Sequence, residues 1–503
     1  MAPVLTPEEA ADKLNYLEIT RTSRAQEAVE LKQYFRGEQP LKYASPEWAA
    51  EHQAKYRDFS DNWCEVVANA NAERINLIGF RLPESVGEKD DSGMSEAEKL
   101  LWDAWRRAGM EEGAQQGILE AVVARRSYLY VWGDDETGEP IVAFKEAGSC
   151  IIQYDPVRQM DPLYGVVTWD DIDTERQYAH LYTKTQVFQF WRTRLRLNTP
   201  GLLLADGNVT LAGGWVFDAE ASGDNHLGMV PLVEFPNRPQ LGHGPLSDIA
   251  GVRAMQDAIN LLWAYLFAAA DYASMPARVV MGQAPPKIPL LDAQGNKVGE
   301  QPIDIEQLSR GRMLWLTGQN ASIGQWEAAK LDVFTETIEH AIRHVAAQTR
   351  TPPHYLSSNT GLSNLSGDAI TNAEAGLVKK VWQTISYLNR PVREAFRLIA
   401  LQLGEPELAE ACRVGTPDWA DPANRSVAQA ADAMLKKKDV GYPFEYLLEE
   451  AGKSPTDISR IMDMKAAEAQ INMAAGISDL ITASSQPQVS PPEPAPAVPA
   501  PAP

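Results

Sequence analysis

The sequence predicts an α+β fold that is predominantly helical. Three long helical patterns, within residues 247–275, 331–349 and 368–403, account for most of its regular periodicity. A block of short β-rich runs between residues 127 and 235 predicts one antiparallel sheet module. At about 150 residues per domain, a chain of 503 residues is expected to form two to four folding units.

The N-terminal part of the chain carries helix-capping signals. Residues 6–9 (Thr-Pro-Glu-Glu) supply an N-cap, a proline at the first helical position and a capping-box glutamate, and Gly37 ends the pattern. A second helix is predicted from residue 62 to about residue 76. Ser95 and Glu98 form another capping box before an apolar periodic run. This part of the chain is therefore predicted to alternate helices with charged loops.

The sheet module is indicated by runs rich in β-branched and aromatic residues, separated by acidic turn signals. Such runs favour short strands with one half-buried face. The predicted strands are Ser127–Trp132, Ile141–Lys145, Gly165–Trp169, Arg176–Tyr182 and Gln186–Trp191.

A long helix is predicted from Ser247 to Met275, and Pro276 ends it. Its uncharged run Leu261–Ala270 has ten residues, whereas a helix that spans a membrane needs about 20. The run is apolar on every face, so it predicts a helix that is surrounded by other protein. No membrane segment is expected.

A small insertion is predicted between this helix and the next. Residues 276–330 contain two strand-like pieces, Arg278–Met281 and Met313–Thr317, on either side of a stretch rich in proline and glycine. The following helix, Leu331–Thr349, has apolar residues at steps of three or four. On another face of that helix, Glu339 and Arg343 are spaced for an i,i+4 ion pair.

The C-terminal third begins with a loop of small polar residues, Ser357–Gly367. A helix of 36 residues follows, from Asp368 to Leu403, and Pro391 within it predicts a kink. Residues 405–482 are predicted to be helical, with turns that include Gly415–Pro417. The last residues, 483–503, are rich in proline and alanine and predict a disordered tail.

Composition excludes several classes of protein. The formal net charge of −22 argues against a protein that grips nucleic acid through its overall charge. The three cysteines, Cys64, Cys150 and Cys412, are far apart and odd in number, which predicts neither a disulfide framework nor a thiolate zinc site. The first ten residues have neither a basic start nor an apolar core, so no secretory signal is expected.

No residue pattern predicts catalysis. Gly452–Ser454 lacks the earlier glycine and the preceding strand of a phosphate-binding loop. His340 and His344 lie one helical turn apart, but without an obvious third ligand they are interpreted as an exposed face. Asp170–Asp171 lies in a turn-like stretch, where solvated acids are far more common than an acid/base pair. No catalytic residue, metal site or cofactor is predicted.

Seven segments in a fixed order carry a resemblance to a known family. None of them is diagnostic alone, and their order over nearly the whole chain, without the tail, is the signal. The segments are Tyr34–Leu41, Asn62–Trp63, Arg126–Trp132, Asp257–Gly282, Thr351–Leu356, Ser363–Ile370 and Trp419–Lys437. In this order the chain resembles the portal proteins of tailed bacteriophages, particularly those of long-tailed phages of actinobacteria.

The resemblance implies a fold of a wing, a two-helix stem, a small β-containing clip and a helical crown. The implied boundaries, in chain order, are the wing at 1–245, the first stem helix at 246–275, the clip at 276–330, the second stem helix at 331–350, the tunnel loop region at 351–367, a long kinked wing helix at 368–404, the crown at 405–482 and the tail at 483–503.

The resemblance also implies a function and partners. Portal proteins form closed rings, usually of twelve subunits, at one capsid vertex of the virion, and double-stranded DNA passes through the ring during genome packaging and ejection. The implied partners are other copies of the chain, the DNA, the terminase large subunit, the major capsid protein, the scaffolding protein and the head-tail adaptor. The protein would be found in the virion, and in the host cytoplasm during assembly.

The resemblance assigns roles to particular residues of this chain. The tunnel loop that projects into the channel would comprise Ser357, Ser358, Asn359, Thr360, Gly361, Leu362, Ser363 and Asn364. Candidates for channel-facing stem residues are Glu339, Arg343 and Arg350. Since the first stem helix is apolar on all faces, the candidates for the subunit interface are Leu262, Tyr265, Leu266 and Phe267.

An acidic channel is consistent with this function, because it repels phosphate and offers the duplex no fixed register. Two alternatives stay open at the level of the sequence. One is an acidic hydrolase whose carboxylate pair is not located, and the other is a different structural protein of a phage head or tail.

Overall fold

The computed structural model describes residues 4–42, 60–83, 94–134, 136–193, 212–274, 278–281, 287–291, 297–302, 313–316, 330–356, 367–423, 427–451, 453, 457–458 and 460–469. Its helices are α1 (Pro7–Arg36), α2 (Trp63–Ala72), α3 (Glu96–Arg107), α4 (Met110–Ala124), α5 (Arg253–Ser274), α6 (Asp332–Thr349), α7 (Pro353–Leu356), α8 (Gly367–Gln402), α9 (Pro406–Cys412), α10 (Val427–Val440) and α11 (Phe444–Glu450).

The strands form small antiparallel sheets and one parallel pair. They are β1 (Leu77–Arg81), β2 (Arg126–Gly133), β3 (Pro140–Lys145), β4 (Cys150–Tyr154), β5 (Pro162–Asp171), β6 (Arg176–Tyr182), β7 (Gln186–Thr193), β8 (Val216–Asp224), β9 (Leu232–Pro236), β10 (Arg278–Met281), β11 (Lys287–Leu291), β12 (Lys297–Pro302), β13 (Met313–Leu316) and β14 (Thr416–Trp419). The largest described sheet has the order β4-β5-β6-β7-β8, and a second has the order β3-β2-β9. The mixed fold with long helices confirms the predicted class.

The predicted N-terminal capping boxes are confirmed. In α1 the Thr6 side chain accepts from the backbone of Glu9, and Gly37 adopts a left-handed conformation at the C-terminus. In α3, Ser95 and Glu98 form the same reciprocal pair. The helix predicted after residue 62 is α2, which ends at residue 72, and the chain then enters β1.

Helix α1 joins two hydrophobic cores. Leu14 and Leu17, in its first half, pack against the inner face of the five-stranded sheet. Leu31 and Tyr34, in its second half, belong to the main core. The five predicted strands are confirmed as β2, β3, β5, β6 and β7, whereas β4, β8 and β9 were not predicted. The prediction of one sheet is wrong, because these strands form two sheets.

Helix α8 is the centre of the main core. Its core side chains recur from Leu377 to Ala400 and include Ile385, Phe396 and Ile399. Phe396 stacks on Phe80 of β1, with 4.3 Å between the ring centroids. The helix is continuous from Gly367 to Gln402 and contains Pro391, as predicted. A kink at Pro391 stays a prediction.

The prediction of one helix from residue 247 is wrong at its start, because α5 begins at Arg253. The Ser247 hydroxyl accepts from the backbone N–H groups of Ile249 and Ala250, at 3.2 and 3.3 Å. This local turn competes with helix formation and directs the Asp248 side chain into the core.

The turn predicted at residues 415–417 is also wrong, since Thr416–Trp419 forms β14. This strand pairs antiparallel with β1, and Phe80 lies opposite Pro417. Proline is tolerated there because a two-stranded sheet has only edge strands. Helix α9 packs on α8 and contributes Leu408 and Cys412 to the main core. Residues 406–419 therefore pack with the N-terminal part of the chain, so the implied crown boundary at 405 falls inside this core.

The insertion between α5 and α6 contains the two predicted strands. They are β10 and β13, which pair in parallel, and β11 and β12 form an antiparallel pair between them in sequence. The tunnel loop prediction, residues 357–364, and the tail prediction lie outside the described residues. In the part of the chain that the structure describes, no helix is both long and apolar enough to cross a membrane.

Candidate functional site

The candidate site is the junction where the segment before α5, the end of α6 and the body of α8 meet, next to the predicted loop. Helices α5 and α6 pack against each other, and α6 leads through residues 350–352 into α7. The predicted loop follows α7 and precedes α8. Buried polar groups hold these ends in place, and they form two clusters.

The first cluster surrounds a fully buried carboxylate, Asp248. The Lys380 ammonium lies 2.7 Å from its Oδ2, and the Arg238 guanidinium lies 3.0 Å from its Oδ1. The side-chain amides of Asn71 and Asn237 donate to the two carboxylate oxygens at 2.8 and 2.9 Å. Lys380 also donates to the carbonyl of Thr349, the last residue of α6, at 3.1 Å. One ion pair thus connects the start of the α5 segment, the end of α6 and the body of α8.

The second cluster surrounds Glu374, two turns into α8. Its carboxylate accepts from the Tyr355 hydroxyl at 2.9 Å and pairs with Arg74 at 3.2 Å, and the His354 Nε2 lies at 3.5 Å. Arg74 also donates to the Tyr355 hydroxyl. Leu356, where the described chain stops before the loop, is buried. The residues before the predicted loop are therefore fixed to α8 and to the body of the protein.

The Asp248 cluster makes stability depend on pH in acid. Burial by itself raises the pKa of the Asp248 carboxyl, but the charges of Lys380 and Arg238 outweigh it and hold the pKa below its ordinary value. The ordinary value of about 3.9 applies to the unfolded chain. The stabilisation is therefore fully present above about pH 4 and is lost as the pH falls through the lower folded-state pKa.

We expect the variant Asp248→Asn to lose less stability than wild type as the pH is lowered below about 4, since it lacks this titration. The measurement is the free energy of urea unfolding at several acid pH values. The exposed Asp439→Asn is the control and should follow wild type. Equal slopes for D248N and wild type would contradict the assignment.

The candidate stem residues lie on the outer face of α6. Ile338, Ile342 and Val345 are buried on its inner face. Glu339 and Arg343 form the predicted pair at 3.2 Å on the other face, and Arg350 is exposed at the end of the helix with a φ of 59°. Their exposure to solvent within one chain is consistent with a channel wall, and their role stays a prediction.

The candidate interface residues differ in how much surface they keep. Leu266 is only 8% exposed within its own chain, whereas Leu262, Tyr265 and Phe267 are half-buried. Phe267 stacks on Trp263, with 5.6 Å between the ring centroids. The chain itself therefore covers much of this helix, and Leu266 has little surface left for a neighbouring subunit.

A described cleft lies between α8 and the β4–β5 turn. It contains two carboxylates, but Glu234 is paired with Arg126 at 2.6 Å and Glu394 with Arg397 at 3.4 Å. Each carboxylate is thus ion-paired with an arginine, an arrangement that does not favour the hydrolase alternative.

Other groups considered for chemistry have structural roles. Asp171 accepts from the backbone of Asp173 and from the Thr174 hydroxyl, so it shapes the β5–β6 turn. Burial raises the pKa of each cysteine thiol to about 12. Among the described residues, no group of three or more histidine, cysteine, aspartate or glutamate side chains could hold a metal ion.

Known proteins match this chain over most of its length. The family model described as "Phage portal protein, SPP1 Gp6-like" matches residues 15–470. The portal protein of Mycobacterium phage D29 is 29% identical over 398 residues, which cover 74% of this chain and 74% of the relative. The portal protein of Mycobacterium phage L5 is 28% identical over 377 residues, which cover 73% and 69%.

Solved structures of gene transfer agent particles are also similar. A chain in the neck of a native particle, computed with C12 symmetry, matches with a TM-score of 0.41 and 14% identity, over 81% of this chain and 92% of that chain. A chain in the virion of a native particle matches with a TM-score of 0.38 and 13% identity, over 83% and 90%.

Proposed function

The chain belongs to the SPP1 Gp6-like family of phage portal proteins, and from this membership we propose that it forms the closed ring through which double-stranded DNA enters and leaves a phage head. The single observation that carries the proposal is the family match over residues 15–470. We propose a ring of twelve subunits at one vertex of the capsid, present in the host cytoplasm during assembly and in the virion afterwards.

The proposal assigns parts of the chain to parts of such a ring. The wing would be residues 1–245 together with α8, the stem would be α5 and α6, and the clip would be 276–330. The crown would begin after β14 and comprise α10, α11 and the residues that follow. The order of α5, four strands and α6 supports this assignment.

The proposed tunnel loop, residues 357–364, enters the channel from a fixed base. The Asp248 and Glu374 clusters support this placement, because they hold the end of α6, α7 and the start of α8 together without using the loop. A net charge of −22 on each subunit supports a conduit that repels phosphate and lets the duplex slide.

The proposed partners follow from the position at the vertex. The ring would contact the major capsid protein and the scaffolding protein during assembly, the terminase large subunit during packaging and the head-tail adaptor afterwards. We propose no catalytic activity for the chain itself, and no cofactor. ATP hydrolysis would belong to the terminase.

The mass of the purified protein tests the ring directly. Twelve chains of 55.4 kDa give about 665 kDa, so light scattering should report this mass and electron microscopy should show rings with an open centre. A particle of another closed symmetry would correct the subunit number. A chain that stays monomeric at all concentrations, alone and with capsid protein, would contradict the proposal.

A further inference from the structure

We infer that one head-to-tail contact of the ring joins an acidic hairpin tip of each subunit to an arginine-lined cleft of the next subunit. The inference rests on the proposed ring and deepens it by naming a contact. The tip consists of the end of β5 and the β5–β6 turn, residues 170–175, and the cleft lies between the β4–β5 turn and α8. Each surface includes a turn of the same five-stranded sheet.

The cleft is a positive surface on an acidic protein. It has a volume of about 610 Å³, and four arginines line it against two carboxylates. Part of this positive charge is neutralised by ion pairs within the chain. Arg397 pairs with Glu394 at 3.4 Å and with Glu410 at 3.7 Å, and Arg413 also pairs with Glu410. The arginines that line it are Arg158, Arg390, Arg397 and Arg413.

The cleft also offers apolar surface. A smaller cavity of about 50 Å³, which shares lining residues with the cleft, is lined largely by apolar side chains, which include Pro391 and Leu398. Met160 of the cleft lining is 62% exposed, and Val157, next to Arg158, is 88% exposed. Val414, next to Arg413, is 66% exposed. Arginine and methionine around an apolar centre are enriched in protein interfaces. The occupant expected here is an acidic segment that carries one apolar side chain.

The β5–β6 tip is an acidic segment that carries one apolar side chain. Asp170, Asp171, Asp173 and Glu175 surround Ile172, whose side chain is 75% exposed. The tip is ordered before any contact, because Asp171 accepts from Asp173 N at 3.0 Å and from Thr174 Oγ1 at 2.7 Å. The guanidinium of the adjacent Arg176 stacks on the Trp191 ring, so the positive charge of Arg176 lies over the sheet.

The two surfaces are placed for a contact between subunits. Strand β5 begins at Pro162, in the wall of the cleft, and ends at Asp171, in the tip. Ten residues at about 3.4 Å each separate them by about 30 Å, so a tip cannot reach the cleft of its own chain. Unlike surfaces at opposite ends of one element produce a head-to-tail contact, and such a contact closes into a ring when the rotation between neighbouring subunits divides a full turn evenly. The occupant is therefore a second copy of this chain.

Charge reversal tests the contact in the full-length protein. The cleft variant is Arg158→Glu with Arg413→Glu, and the tip variant is Asp173→Arg with Glu175→Arg. Each variant alone places like charges opposite each other, and we expect the assembled fraction to fall by about tenfold or more. Matched controls at exposed positions, Lys438→Glu and Glu220→Arg, should assemble as wild type.

Mixing the two variants is the decisive step. In an alternating ring, each reversed cleft meets a reversed tip and each unchanged cleft meets an unchanged tip. An equimolar mixture should therefore regain particles with the mass of the wild-type ring, which an even subunit number permits. Unchanged thermal melting of each variant monomer would show that the fold is intact.

The outcomes separate this contact from the ring itself. If wild type and each variant alone all form rings, the contact is overturned and the ring proposal still stands. Failure of the mixture to assemble, with both folds intact, would also overturn it, because reversed tips and reversed clefts would then not complement each other. Absence of wild-type rings would overturn the ring proposal on which the contact rests.

Discussion

Replacing Lys380 by methionine is expected to lower the free energy of unfolding by about 3 kcal/mol. The change removes the ammonium that lies 2.7 Å from the buried Asp248 carboxylate. Breaking a buried ion pair on one side costs about 3–5 kcal/mol, because the remaining charge loses its partner. The lower end applies here, since Arg238 still lies 3.0 Å from the same carboxylate.

The measurement is urea unfolding of wild type and variant at neutral pH, under conditions in which both are in the same assembly state. The neighbouring Lys379→Met is the matched control, because Lys379 is exposed and its loss should change stability by less than about 0.5 kcal/mol. The double variant Lys380→Met with Asp248→Asn should recover part of the loss, since it no longer buries the Asp248 carboxylate charge. Equal stabilities of K380M and K379M would contradict a central role of this pair.

Deleting residues 360–363 from the proposed tunnel loop is expected to abolish DNA packaging while rings still assemble. The ends of the loop are held by Tyr355, Glu374 and Arg74, so shortening the loop leaves its base in place. The deletion removes part of the loop that we propose to contact DNA in the channel. The measurements are ring mass by light scattering and the amount of DNA protected inside assembled heads.

A deletion of equal length in the tail, residues 494–497, is the control and should package as wild type. Normal packaging by the loop deletion would refute a channel role for residues 357–364. Loss of rings would show instead that the segment belongs to a subunit interface or to the folded body.

The sequence was sufficient for elements that have local signals. The capping boxes at Thr6 and Ser95 place two helix starts, and alternation of apolar residues places five strands of the sheet module. Helix α4 was missed because it follows Gly109 without a side-chain cap. Strand β14 was mistaken for a turn because Gly415 and Pro417 are turn residues in most contexts.

The candidate site was predictable only in its outline. The resemblance to portal proteins, carried by seven ordered segments, is confirmed by the family match, and it drew attention to the segment between residues 351 and 367. The groups that hold this segment were missed, although a signal existed. Asp248 and Glu374 are charged residues at positions that fall on the apolar face of their helical patterns, and a charge on a buried face requires a partner.

The sequence by itself determined the class of this protein, most of its long helices and half of the described strands, because capping, periodicity and turn preference act over a few residues. Only the tertiary structure decided which distant residues meet. It placed Lys380 against Asp248, paired β1 with β14 and Arg81 with Asp418, and located the tip and the cleft at opposite ends of β5. Buried charges and edge strands accept any partner of suitable chemistry, so local pattern cannot choose among them, and the packing of the whole chain makes that choice.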